Sequence, residues 1–199
     1  MITIRYANNN DIESIVRIHS DAFKGFFLTS LGADFLKFYY SCFVKSKETI
    51  IMVAEENGEI YGFSASTKKS KGFNSRLIKH NFFSFGILSI KLLLKTPSAL
   101  IRLIKNMTKK SADIKDNEDY AELYSIGVSK SAQGMGIGKR LLTSLEQAMK
   151  EAGVKQMSLT TDFYNNNQAI GFYHSLGYKI LYKFIAYPNR KMYRLIKVL

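Results

Sequence analysis

The densest chemistry in the chain lies in eight residues, Gln133-Gly134-Met135-Gly136-Ile137-Gly138-Lys139-Arg140. Three alternate glycines separate a strand-like run at 120–128 from a helix-like run at 136–152. Glycine lets a backbone turn tightly and come close to a ligand. The first turn of a helix carries N–H groups with no intrahelical acceptor and a partial positive charge, so it suits a pyrophosphate. Lys139 and Arg140 add formal charge beside it. Two other phosphate patterns fail. A dinucleotide fingerprint opening at Gly134 needs glycine where Lys139 stands, and no Gly-Lys-Ser/Thr closes a P-loop. The bland alternative is a tight strand–helix connection.

Other reactive side chains are scattered. Alternation puts Glu122, Tyr124, Ile126 and Val128 on one face of a strand, where Glu122 is either a base or a solvated carboxylate. Tyr173, beside Phe172 on an amphipathic helix, reads by itself as packing. His19 falls on the apolar face of the first helix, as core or substrate-pocket packing. His174 is expected to be structural, and His80 is isolated among basic and aromatic residues. Cys42 sits in an apolar run and is expected to be a buried thiol. No set of His, Cys, Asp and Glu has metal-ligand spacing, so no metal is expected.

The elements that position these residues follow from periodicity. Residues 2–6 alternate as a strand, Asn8–Asp11 offers cap residues, and helices follow at 12–19 and 32–45. The runs 49–55 and 59–67 flank Asn57-Gly58, the signature of a β-hairpin. Pro97 splits the next segment into helical pieces at 83–95 and 97–108. In the second, Leu100, Leu103, Ile104 and Met107 form a stripe opposite Arg102, Lys105 and Asn106. Strands at 120–128 and 156–161 alternate with helices at 136–152 and 166–176, the latter stopped by Gly177. Two strands at 178–186 and 191–198 surround Tyr187-Pro188-Asn189. A local parallel β-α-β unit beside antiparallel hairpins calls for a mixed sheet covered by helices.

With 199 residues, 46% of them hydrophobic, the chain is expected to form a single globular domain. One cysteine cannot form an internal disulfide, and the opening residues lack the basic start and apolar core of a secretory signal. The longest apolar run, 82–94, falls short of a bilayer span. A cytoplasmic location is therefore expected. The net charge of +13 is concentrated: twelve Lys or Arg and one acid fall between Lys68 and Lys115, leaving +2 for the rest. A basic amphipathic segment is compatible with docking on nucleic acid or an anionic membrane. No specific nucleic-acid motif accompanies it.

The glycine turn resembles that of the GNAT superfamily of N-acetyltransferases. Its signature Gln/Arg-x-x-Gly-x-Gly/Ala is matched by Gln133, Gly136 and Gly138. A second signature, Asn-x-x-Ala followed by Tyr and Gly-Phe, is matched by Asn166, Ala169, Tyr173 and Gly177, with Tyr178 in place of phenylalanine. The spacing fits from about 119 to 187. The resemblance implies an α/β (α+β) fold, a mixed, mostly antiparallel sheet whose central parallel strand pair splays for CoA, flanked by helices. It implies acetyl-CoA as cosubstrate, held by the backbone of Ile126, Gly127 and Val128 and by Gln133, Gly134, Met135, Gly136, Ile137, Gly138, Lys139 and Asn166. It also implies Tyr173 as the acid for the leaving thiol. Glu122 precedes Gln133 by the spacing of the catalytic glutamate in the histone-acetyltransferase branch. The departure is a basic helical insertion at about 68–118, where the family has a short loop. A positive entrance there favours a small anionic amine acceptor, such as an amino sugar or nucleotide-linked amino sugar. A protein or peptide amine, a CoA-binding protein without catalysis, membrane contact and a homodimer stand as alternatives.

Overall fold

The computed structural model describes residues 1–86 and 116–199. The expected helices at 83–95 and 97–108, with the Leu100–Met107 stripe and its lysines, lie outside the described residues apart from 83–86, which are helical. Seven strands form one mixed, mostly antiparallel sheet in the order β1-β2-β3-β4-β5-β7-β6, with β4 and β5 the parallel neighbours. The chain divides into two compact units.

The first unit holds Met1–Lys68 and Leu123–Val154. It contains β1 (Thr3–Tyr6), α1 (Ile12–Ala22), α2 (Phe27–Ser30), α3 (Ala33–Lys45), β2 (Thr49–Glu56) and β3 (Glu59–Thr67), most of β4 (Ala121–Val128), and α5 (Ile137–Glu151). Asn8 and Asp11 form a capping box ahead of α1, and Arg5 clamps Asp11 through two bonds of 2.7 and 2.9 Å. Asn57 and Gly58 both take positive φ, 52° and 81°, the backbone that a two-residue hairpin loop requires. Buried Ile137, Leu141, Leu145 and Met149 recur at helical spacing on α5 and pack it on β2 and β3. α1 packs on β3 and α3.

One glycine sets how β4 and α5 meet β3. A Cβ at Gly62 would stand 3.0 Å from the Gly127 carbonyl oxygen, 3.0 Å from Leu141 and 3.3 Å from Ile137. Only a residue without a side chain admits the end of β4 and the start of α5 together.

The second unit holds Lys69–Glu122 and Lys155–Val198. Its strands β5 (Gln156–Asp162), β6 (Lys179–Ala186) and β7 (Arg190–Val198) are antiparallel, with the last strand in sequence paired to both others. The helix α6 (Asn167–Ser175) ends at Gly177, φ 89°, where the Gly177 and Tyr178 N–H groups return to the His174 and Tyr173 carbonyls. This is the stop that the glycine signals. A helix that periodicity did not single out, α4 (Phe73–His80), opens the basic excursion and buries Phe73 and Leu77. The two ends of that excursion lie side by side: Ser70 N–H donates to the Tyr120 carbonyl at 2.8 Å and Lys71 N–H to that of Glu118 at 3.3 Å.

His19 lies inside the first unit, 3% exposed, with Nδ1 2.7 Å from the Tyr40 hydroxyl, which the Ser125 side chain also engages. Burial lowers its pKa to about 4. The unfolded chain therefore binds more protons than the folded one between pH about 4 and about 6.5, and stability falls as pH falls through that window. The expected loss is up to about 3 kcal/mol. In urea titrations at several pH values, His19→Gln should show a shallower decline than the wild type; equal declines would contradict the assignment.

Candidate active site

The 133–138 turn belongs to the first unit. After β4, Ser129 N–H reaches the Tyr61 carbonyl at 2.7 Å and a 3-10 turn, Lys130–Ala132, leads to Gln133 in extended backbone. Gly134 and Gly136 both take left-handed φ, 82° and 73°, and a Cβ on either would meet nothing within 4 Å. Their lack of a side chain is thus required by the backbone, and the space beside them is open. Gly136 is the N-cap of α5, which has no side-chain cap, and the Arg140 N–H makes the turn's bond back to Gly136 at 3.1 Å. The N–H groups ahead of Arg140 have no acceptor within the helix. Gln133–Gly136 and Lys139 are exposed, whereas Ile137 is buried as the anchor of the turn. A pyrophosphate needs this donor set, so the residues present fit the CoA end of the ligand. Arg140, by contrast, is turned to the Ile2 carbonyl at 2.6 Å.

β4 alternates as expected. Ala121, Leu123, Ser125 and Gly127 are buried, while Glu122, Tyr124, Ile126 and Val128 are half-buried. Gly127 is needed for closeness rather than for its φ, since a Cβ would meet Phe63 at 3.1 Å and Ile18 at 3.4 Å.

The second unit holds Glu122, Asn166 and Tyr173. Glu122 is not a solvated carboxylate. Its Oε1 accepts from Arg194 Nη1 at 2.7 Å and its Oε2 from the Ser70 hydroxyl, with side-chain exposures of 13% for Glu122 and 12% for Arg194. Arg194 also reaches the Ser158 hydroxyl at 3.3 Å and lies over the Tyr120 and Phe184 rings. Burial works against the guanidinium charge, but Glu122, Tyr120 and Tyr182 together outweigh it and hold the Arg194 pKa above its ordinary range. Asp116 accepts from the Tyr120 and Tyr182 hydroxyls at 2.5 and 2.6 Å. Burial raises its pKa, but these bonds more than offset it and leave the carboxyl below its ordinary range. Periodicity did not single out Arg194, Ser70, Ser158 or Asp116. Arg194 is one of four cations in the nine residues of β7, so nothing in the sequence marks it out.

Asn166 occupies the N-cap position of α6 without capping it. Its amide donates to Thr161 Oγ1 at 2.5 Å and to the Asp162 carbonyl at 3.2 Å, tying the helix start to the end of β5. Tyr173 stacks edge-on with Phe172 and Tyr178, at centroid distances of 5.2 and 5.9 Å. Its ring keeps some exposure, yet burial pushes the hydroxyl up to about 12. His174 is exposed, His80 bonds the Arg76 carbonyl through Nδ1, and Cys42 is buried with its thiol pushed up by burial. Among the described residues no group of three His, Cys, Asp or Glu could hold a metal ion, and no helix is long and apolar enough to cross a membrane.

Residues 12–178 match the Acetyltransferase (GNAT) family. No curated protein matches the chain by sequence. Several solved structures share its fold. The ribosomal-protein-S18-alanine N-acetyltransferase from Escherichia coli superposes with a TM-score of 0.62 at 16% identity, over 100% of this chain and 94% of that one. The ribosomal-protein-alanine N-acetyltransferase from Brucella melitensis gives 0.65 at 16% identity, over 99% of each chain. The yncA protein from Salmonella typhimurium, solved with its cofactor acetyl-CoA, gives 0.61 at 18% identity, over 100% of this chain and 94% of that one. With the family signature spread over most of its length, the chain belongs to the Acetyltransferase (GNAT) family and is an acetyl-CoA-dependent N-acetyltransferase.

Proposed function

We propose that the acceptor is a primary amine on a small anionic molecule, such as an amino sugar or a nucleotide-linked amino sugar, acetylated by direct attack in a ternary complex. The anionic acceptor rests on the excess positive charge of residues 68–115. The observation that supports the coenzyme half of the reading is the uncapped start of α5, with two left-handed glycines beside open space. There Gln133, Gly134, Met135, Gly136, Ile137, Gly138 and Lys139 bind the coenzyme's pyrophosphate through backbone N–H groups and one ammonium. The backbone of Ile126, Gly127 and Val128 orients the pantetheine arm and donates to the acetyl oxygen as charge develops on it. Asn166 contributes its side-chain oxygen, its amide being committed to β5.

In the transfer, the acceptor nitrogen bonds to the acetyl carbon and the carbon–sulfur bond breaks, its electron pair going to sulfur. The nitrogen must lose a proton and the sulfur must gain one. Glu122 is the base. Both of its oxygens already hold partners, so it takes the proton through a water while Arg194 and Ser70 fix its orientation. Tyr173 is the acid. A hydroxyl raised to about 12 stays protonated across the working range and donates to the forming thiolate at every such pH.

A thiol-release assay with acetyl-CoA and amines of four kinds (amino sugars, their phosphates, polyamines and a peptide with N-terminal alanine) tests the reading. Amine-dependent CoA release, strongest with a phosphorylated amino sugar, is expected. CoA binding with no amine-dependent release from any of them would leave a binding protein, and a preference for the peptide would move the acceptor to protein amines. Tyr173→Phe should keep CoA affinity and lose roughly 10²–10⁴-fold in turnover. Because the hydroxyl remains protonated, that loss should be equal at about pH 6.5 and about pH 9. An unchanged turnover would make Tyr173 a packing residue.

A further inference from the structure

The sheet face of the second unit that carries Arg194 also carries a cavity. The registers Tyr182↔Arg194 and Ser158↔Ile196 put Tyr182, Arg194, Ile196 and Ser158 on one face, and Gln156 shares it two residues before Ser158. A cavity of about 460 Å³ opens there. Its apolar lining is Tyr120, Tyr182, Leu181 and Ile196, and its polar lining comes from Gln156 and from Asp116, Asn117 and Asp119 ahead of β4. Ile196 follows Arg194 by two residues, about 7 Å along a strand. The cavity therefore adjoins the pair of Arg194 and Glu122 on their own face.

The lining is held in shape. Leu181 and Tyr182 are consecutive and would take opposite faces of a regular strand, yet both line the cavity, because the register of β6 against β7 shifts between Ile180 and Tyr182. Tyr120 and Tyr182 both donate to Asp116 Oδ2, and the Glu118 N–H donates to Oδ1 at 2.9 Å. Burial, then Asp116, pushes the Tyr182 hydroxyl up to about 12, so it remains a donor at neutral pH. Among the described residues the side chains of Asn117, Asp119 and Gln156 have no hydrogen-bond partner. Carboxylates only accept, whereas carboxamides donate and accept. An anion is repelled by Asp116 and Asp119. A polyamine only donates, so it leaves the amide N–H groups of Asn117 and Gln156 unanswered, and it brings charge towards Arg194, which already lies 5.5 Å from the Tyr120 ring centroid. A polyhydroxyl ring donates and accepts at each hydroxyl, and its C–H face suits the apolar floor.

We propose that this cavity holds the sugar ring of an amino-sugar acceptor, its hydroxyls on Asn117, Asp119 and Gln156, its face on Tyr182 and Ile196, and its amine turned along β7 towards Glu122. The site rests on the acceptor reading above and narrows it. Any phosphate or nucleotide on the acceptor lies outside the cavity, away from its two carboxylates.

The test uses the full chain with 13C-labelled tyrosine rings and glucosamine as the probe, with the two signals assigned by Tyr120→Phe and Tyr182→Phe. Both should shift along one saturable curve, and the shift should persist in high salt, which screens charge but not hydroxyl bonding. Asn117 is exposed and Gln156 half-buried, so the double variant Asn117→Ala, Gln156→Ala should fold and should weaken the sugar about 10-fold or more. An unsaturable drift, or a double variant that binds as the wild type does, would overturn the site. Spermidine separates the two chemistries that carboxylates serve. It should leave both signals in place; a spermidine response stronger than the sugar's and lost in high salt would make this a cation site and overturn the proposal. Binding is read without turnover, so the two failures are distinct. Amino-sugar-dependent CoA release with no saturable shift would remove this cavity and keep the acceptor reading. Saturable binding with no amine-dependent release would keep the sugar site and remove the acceptor reading.

Discussion

A helix begins with N–H groups that it cannot satisfy internally, and something outside must accept from them. In the 3-10 turn Asn9–Asp11 that leads into α1 the sequence supplies acceptors itself, with Asn8 and Asp11 in a capping box. At α5 it does not. Gly136 stands at the cap with no side chain to offer, its φ of 73° turns the chain into the helix, and Ile137 locks that turn into the core. Gly62 admits both Ile137 and the Gly127 carbonyl from below, so the strand end and the helix start are held by one packing arrangement. A backbone built this way presents donors to a ligand and invests its packing in keeping them aimed.

Charge is handled by the same logic in the second unit. A buried guanidinium without a partner is costly, and Arg194 meets its carboxylate at 2.7 Å with Ser158 and two aromatic rings around it. Glu122 thereby becomes a fixed group rather than a floating one. The pair also links the start of β4 to the middle of β7, and Ser70 adds the first turn of the basic excursion to it. Positioning and chemistry share the same few contacts, and removal of either charge would break the link between the two strands.

Features encoded within a few residues were legible in the sequence. The Asn57-Gly58 hairpin, the Gly177 stop and the glycine turn each depend on local backbone demands that name their residues. Nonlocal pairing was not legible. Nothing in the spacing of the last two strands says that β7 pairs with both β5 and β6, and that register is what brings Arg194 to a carboxylate 72 residues away. Asn166 reads as a cap from its position, yet its amide is spent on Thr161 because β5 ends beside it. α4 is only eight residues long, with three apolar positions among polar and basic ones, so periodicity carries a weak signal for a helix that buries only Phe73 and Leu77.

The start of α5 can be tested against its own other end. Gly136 and Gly153 flank the same helix, both left-handed, at φ 73° and 81°, and a Cβ on either meets nothing within 4 Å. Valine at either position therefore imposes similar backbone strain, and only one position faces the proposed pyrophosphate. Calorimetric titration with acetyl-CoA should show Gly153→Val binding as the wild type does, while Gly136→Val loses at least about 100-fold in affinity at matched folded fraction. Equal affinities in the two variants would contradict the account.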